Sequence, residues 1–147
     1  MKKQLYMVVT IIALVTVAGL SSAKAQTRAL LKADIPFAFS VDNTTLPAGE
    51  YILSRTSSDS NIAVLRLRRR DGHESALVRT NSVSGKIQEQ GKLIFVRYGD
   101  QYFFAQAWVP ADSIGMQAPR SQAEKRMERE LAARNQTKET VAVNAKR

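Results

Sequence analysis

Apolar and polar residues alternate along much of the chain. Phe37, Phe39 and Val41 fall on one side and Ala38 and Ser40 on the other, the two-residue period of a half-buried strand. Pro36 has no N–H to give to a ladder, so it belongs near the start of that strand or on a sheet edge. Asp42-Asn43-Thr44-Thr45 is turn chemistry, and Leu46-Pro47-Ala48-Gly49 turns the chain into a second strand over residues 50–55. Asp71-Gly72, between strand-like runs at 62–70 and 73–83, is a two-residue hairpin signal. Such a turn sets Leu67 against Ala76, Leu65 against Val78 and Ala63 against Thr80, all on one face. Arg66, Arg68 and Arg70 then lie on the other face, with Arg79 opposite Val64, while Arg69 meets Glu74 as a cross-strand charge pair. A one-residue slip would drive the arginines into the core, so the pattern closes only in this register.

Residues 92–98 and 101–109 read as a further hairpin around Gly99-Asp100. It pairs Val96 with Phe103, Ile94 with Ala105, Phe95 with Phe104 and Arg97 with Tyr102. Both faces are apolar over part of their length, which predicts a central pair with its second face partly covered. That second face carries Phe95, Phe104, Tyr102 and Trp108, expected to pack under a C-terminal helix rather than to line a ligand groove. Six strands without an intervening helix predict an all-β domain over residues 33–119, after a lead-in at 26–32. The architectures that fit are a small antiparallel sandwich or a partly open barrel. Ser121-Gln122-Ala123-Glu124 matches a capping box and opens an amphipathic helix over 120–135. Its stripe is Ala123, Met127 and Leu131, with Arg126–Glu130 and Glu130–Arg134 as i,i+4 pairs. Residues 136–147 show no packing pattern and read as a loose, disordered basic tail.

The first 25 residues change the picture. Lys2 and Lys3 precede an uncharged apolar run from residue 5 to 20, and Ala23-Lys24-Ala25 is an A-x-A cleavage signal. This predicts a secretory signal peptide over residues 1–25 cut after Ala25, and a periplasmic or extracellular protein with no transmembrane span after cleavage. Its removal leaves 122 residues and, without Lys2, Lys3 and Lys24, a net charge of +6. The chain has no cysteine, which excludes disulfides, thiolate metal sites and a cysteine nucleophile.

Few residues invite chemistry. His73, the single histidine, belongs at an exposed hairpin tip rather than in a pocket beside a carboxylate. No serine sits in a GxSxG or SxxK setting, and no phosphate-binding loop or calcium loop occurs, so neither a catalytic residue nor a cofactor or metal is expected. Arg66, Arg68, Arg70 and Arg79 are the candidate contact for an anionic partner, either envelope polymer or lipid headgroups, set against a plainly solvated face. No aromatics interleave with them, and together with the export signal this argues against nucleic acid.

Ile35-Pro36-Phe37-Ala38-Phe39-Ser40-Val41, followed by Leu46-Pro47-Ala48-Gly49-Glu50-Tyr51, resembles a group of small exported bacterial proteins. These share an IPFxFxV…LPAGxY pattern behind a signal peptide. Phe103-Phe104-Ala105-Gln106-Ala107-Trp108 extends the likeness, which spans most of residues 33–131. The resemblance implies an exported β domain and assigns no catalytic or binding residue. The sequence therefore points to an exported, non-catalytic module that binds or organises the envelope. The rival reading is a carboxylate-dependent hydrolase acting on an extracellular polysaccharide, which needs two of the scattered acids brought together in one cleft.

Overall fold

The computed structural model describes residues 29–56 and 62–147. The signal-peptide reading and its cleavage after Ala25 lie outside them. The described strands are β1 (Ala29–Ile35), β2 (Phe39–Val41), β3 (Thr44–Leu46), β4 (Gly49–Arg55), β5 (Ile62–Arg69), β6 (Ser75–Ser84), β7 (Gly91–Tyr98), β8 (Gln101–Trp108), β9 (Ile114–Gln117) and β10 (Glu139–Lys146). The helix α1 (Gln122–Ala133) stands between β9 and β10. The hydrogen-bonded order is β8-β7-β10-β1-β4-β5-β6-β9, and β9 pairs back onto β8. These eight strands close an antiparallel barrel, which removes the exposed edges an open sheet would carry. The hairpin of β2 and β3 stands outside the ring, with β2 parallel to the first half of β8.

The architecture is thus a closed barrel rather than a sandwich or a partly open one, with ten described strands rather than six. Four strands account for the difference: β3 takes Thr44 and Thr45 out of the expected turn, β9 forms between the last hairpin and the helix, and β1 and β10 occupy the expected lead-in and tail. The expected lead-in forms β1, whose Leu31, Ala33 and Ile35 are buried while Lys32 and Asp34 are exposed. Pro36 stands just past the end of β1 instead of opening a strand, and the strand expected from Phe37 to Val41 shortens to Phe39–Val41. The segment read as a loose tail forms β10, which sits between β1 and β7. Its inward residues are only Val141, Val143 and Ala145, and the first two are half-buried, so its hydrophobic signal is faint.

The first hairpin has the expected register, with Leu67↔Ala76, Leu65↔Val78, Ala63↔Thr80 and Val64↔Arg79. Its turn is longer than two residues. The Gly72 N–H donates to the Arg69 carbonyl at 2.9 Å, and the Arg69 N–H to the Glu74 carbonyl at 2.8 Å. A four-residue connection preserves the pairing because it adds one residue to each side.

The second hairpin departs from expectation. Val96↔Phe103 and Phe95↔Phe104 hold, but Ile94 opposes Gln106 instead of Ala105, because the register shifts there. The extra residue reverses which side chains face inward beyond it. Ala107 enters the core and Trp108 packs instead against Gly85 and Gly115. A Cβ at Gly115 would come within 2.8 Å of the indole, so that glycine leaves the ring its space.

The interior is one apolar core whose largest fully buried side chains include Phe39, Tyr51, Leu65, Leu67 and Phe95. A second cluster joins Tyr98, Phe103 and Val96 to Leu131, Ala123 and Met127 of the helix stripe. The aromatic set under the helix is therefore Tyr98 and Phe103, on the opposite side of the hairpin from Phe95 and Phe104. Ser121 caps α1 as expected, its Oγ accepting the Glu124 N–H at 3.1 Å.

Candidate functional site

Strand alternation builds a bare cationic face. Leu65 and Leu67 point into the barrel, so Arg66 and Arg68 point out; Val78 and Thr80 do the same for Arg79 on β6. All three arginines are exposed, and among the described residues no carboxylate lies within 4.0 Å of them. Arg70, the fourth candidate, is set apart. Its Nη1 donates to Glu50 Oε2 at 2.7 Å, and that carboxylate raises its pKa. Arg69 is likewise tied to Glu74 at 3.2 Å and Asp71 at 3.3 Å. The structure adds two lysines that the chain order hides. Lys32 and Lys146 oppose each other across β1 and β10 on the same outer surface, and Lys32 is in register with Ile52, which is in register with Arg68.

The acids are distributed differently. Asp34 opposes Glu50 across β1 and β4, the one cross-strand carboxylate pair in the described registers. A surface cavity of about 440 Å³ there is lined by Lys32, Ala33, Asp34, Glu50, Asn144 and Lys146. Of the two acids, Glu50 is already engaged by Arg70 at 2.7 Å. His73 is exposed at the hairpin tip, and it is its backbone N–H, not the ring, that donates to Asp71 Oδ1 at 3.2 Å. Among the described residues no three His, Cys, Asp or Glu side chains gather as a metal-ligand set. No buried polar side-chain atom there lacks a hydrogen-bond partner, so no orphaned group inside the barrel asks for a ligand.

The helix-covered side uses charge to hold itself together. Tyr98 Oη donates to Glu124 Oε1 at 3.2 Å, and both residues are buried. Burial, then the nearby Glu124 and Glu128, pushes the Tyr98 hydroxyl up to about 12. Burial also raises Glu124, against the lowering effect of the Tyr98 hydrogen bond and Arg120. Glu128 accepts from Lys138 at 2.8 Å and Arg120 at 2.6 Å, which together lower its pKa. These pairs replace the expected Arg126–Glu130 and Glu130–Arg134 bridges, which do not form within 4.0 Å. An adjoining groove of about 340 Å³ runs between α1 and the barrel past Ile94, Val96, Gln106 and Thr140.

The residues that carry the exported-protein resemblance are packing residues. Phe39 meets Tyr51 and Phe95 edge-on, each with ring centroids 5.2 Å apart, and the Tyr51 hydroxyl donates to the Pro47 carbonyl at 2.8 Å. Phe37 stacks on Tyr102 at 3.9 Å. Comparison with protein-family models, curated proteins and solved structures finds no match to this chain.

Proposed function

We propose that this chain is an exported, non-catalytic binding module whose bare outer face takes an anionic partner of the envelope. The observation that carries the reading is the grouping of Arg66, Arg68 and Arg79, exposed and without a carboxylate within 4.0 Å among the described residues. Charges left unpaired on a rigid sheet attract anions over a Debye length of about 8 Å at physiological ionic strength. Arg70 has no part in the site, because Glu50 already neutralises it. Asp34 and Glu50 are the pair the hydrolase reading would take, but Glu50 is tied up by Arg70 at 2.7 Å.

Binding to acidic polysaccharide and to anionic vesicles, followed as salt is raised, tests the reading. An Arg66→Ser, Arg68→Ser, Arg79→Ser variant is expected to lose the salt-sensitive binding of the parent protein. A matched Arg126→Ser, Arg129→Ser, Arg134→Ser variant is expected to keep it. Loss only in the second variant would move the site to the helix and end the strand-face reading. N-terminal sequencing of the exported form should begin at Gln26; a chain that retains Met1 removes the export half of the proposal.

A further inference from the structure

We propose that the bare face is one end of a cationic band that winds round the barrel and holds a flexible, linear polyanion rather than a flat anionic surface. The inference rests on the binding reading above and names its partner. The registers place six cations on consecutive outward positions. Arg79 lies on β6, Arg66 and Arg68 on β5, Lys32 on β1, Lys146 on β10, and Lys92 on β7 opposite Asn144. β4 interrupts them: its outward row holds Glu50 and Ile52, and Ile52 is the residue in register with Lys32 and Arg68. Each cation alternates with a buried neighbour: Val78, Leu67, Ala33, Ala145 and Leu93 point inward. None of the six has a carboxylate within 4.0 Å among the described residues; the same holds for Arg126, Arg129 and Arg134 on the helix, so it is their placement on neighbouring barrel strands that sets the six apart.

Two features point to a bound chain. Lys32 and Lys146 face each other directly across a strand pair. Like charges in that position repel, and an anion lying between them removes the repulsion. The second feature is curvature. In a ring of eight strands each step turns the outward direction by about 45°. From Arg79 to Lys92 is five steps, so the band sweeps about 225° over some ~24 Å of backbone surface. A planar bilayer touching Arg66 and Arg79 cannot reach Lys92, whose side chain leaves the far side of the barrel. A flexible chain can follow all six. Asp34 borders the band where it crosses from Lys32 past Asn144 to Lys92, and Glu50 is held by Arg70.

The test titrates the whole mature chain with long polygalacturonate and, separately, with phosphatidylglycerol vesicles. Three forms are compared: the parent, the Arg66/Arg68/Arg79→Ser variant, and a Lys32→Ser, Lys92→Ser, Lys146→Ser variant. Thermal unfolding confirms that all three are folded. Both variants are expected to lose polymer affinity by about tenfold or more, with the slope of log K against log salt shallower by about 2 in each. A Lys→Arg version at the same three positions should restore binding. If the lysine variant binds polymer like the parent while the arginine variant does not, the band is wrong and the strand-face reading stands. If neither variant loses polymer binding, both fall. Tight vesicle binding without polymer binding also overturns the band, because a plane would then be the partner.

Discussion

The outer surface of this barrel has two halves that handle charge in opposite ways. Over β7 and β8, α1 covers Tyr98 and Phe103, and the cations at its seam with the barrel are paired, Arg97 with Glu139, Arg120 and Lys138 with Glu128, while Arg126, Arg129 and Arg134 on the helix itself have no carboxylate within 4.0 Å among the described residues. Across β6, β5, β1 and β10 no helix intervenes, and Arg79, Arg66, Arg68, Lys32 and Lys146 stand without a carboxylate within 4.0 Å among the described residues. Both halves rest on the same apolar interior. The difference teaches where charge serves the fold and where the fold leaves it to something else. Exposed ion pairs contribute little to stability, so the paired half is held mainly by the burial of Leu131, Tyr98 and Phe103. The bare half owes the fold even less, and that frees its cations for contact.

The comparison breaks first at the shared interior. Leu65 is fully buried and Arg68, three residues on, is exposed. Leu65→Asp is expected to abolish cooperative unfolding, because a buried unpaired carboxylate costs several kcal/mol against a total stability of about 5–15 kcal/mol. Arg68→Ser should leave stability within about 0.5 kcal/mol. Equal melting of the two by circular dichroism would mean that the bare half is structural after all.

A smaller effect sharpens the covered half. Tyr98→Phe strands the buried Glu124 carboxylate without its donor, an expected loss of about 1–3 kcal/mol in denaturant unfolding. Glu124→Gln should have the opposite sign at neutral pH. Burial raises the Glu124 pKa in the folded chain, so the folded state holds the proton more tightly than the unfolded one. Stability linked to this group is therefore present below the unfolded carboxylate value, near ~4.3, and is lost as pH rises through the folded value. The Gln variant should exceed the parent in thermal stability at pH 7 and converge with it below about pH 4. A gap that persists unchanged into acid would show that the carboxyl is not buried as described.

Much of this was legible in the chain, and the limits have physical causes. The Asp71-Gly72 hairpin could be registered residue by residue because its arginines leave only one way to fill a core. The helix cap at Ser121 and the stripe Ala123, Met127, Leu131 were equally plain. The shift at Ile94 was not, since Phe103-Phe104 supplies an aromatic residue for either face and alternation cannot count an inserted residue. β10 was missed because Val141 and Val143 are small and half-buried. The arginine half of the band was readable from one hairpin. The lysine half was not, because alternation says that Lys32 and Lys146 point outward but not that strands more than a hundred residues apart in the chain are neighbours.

That last pairing also sets a clock. β1 is flanked by β4 and β10, and β7 by β8 and β10, so the ring stays open until residues 139–146 arrive. Contacts of such long sequence separation form late and slowly, because the loop entropy is lost before they give anything back. Until then β1 and β7 each present an unpaired edge beside an unfinished apolar interior, the condition in which chains pair with one another instead of with themselves. The hazardous interval in this molecule's life is therefore the time between the appearance of its first strand and the docking of its last.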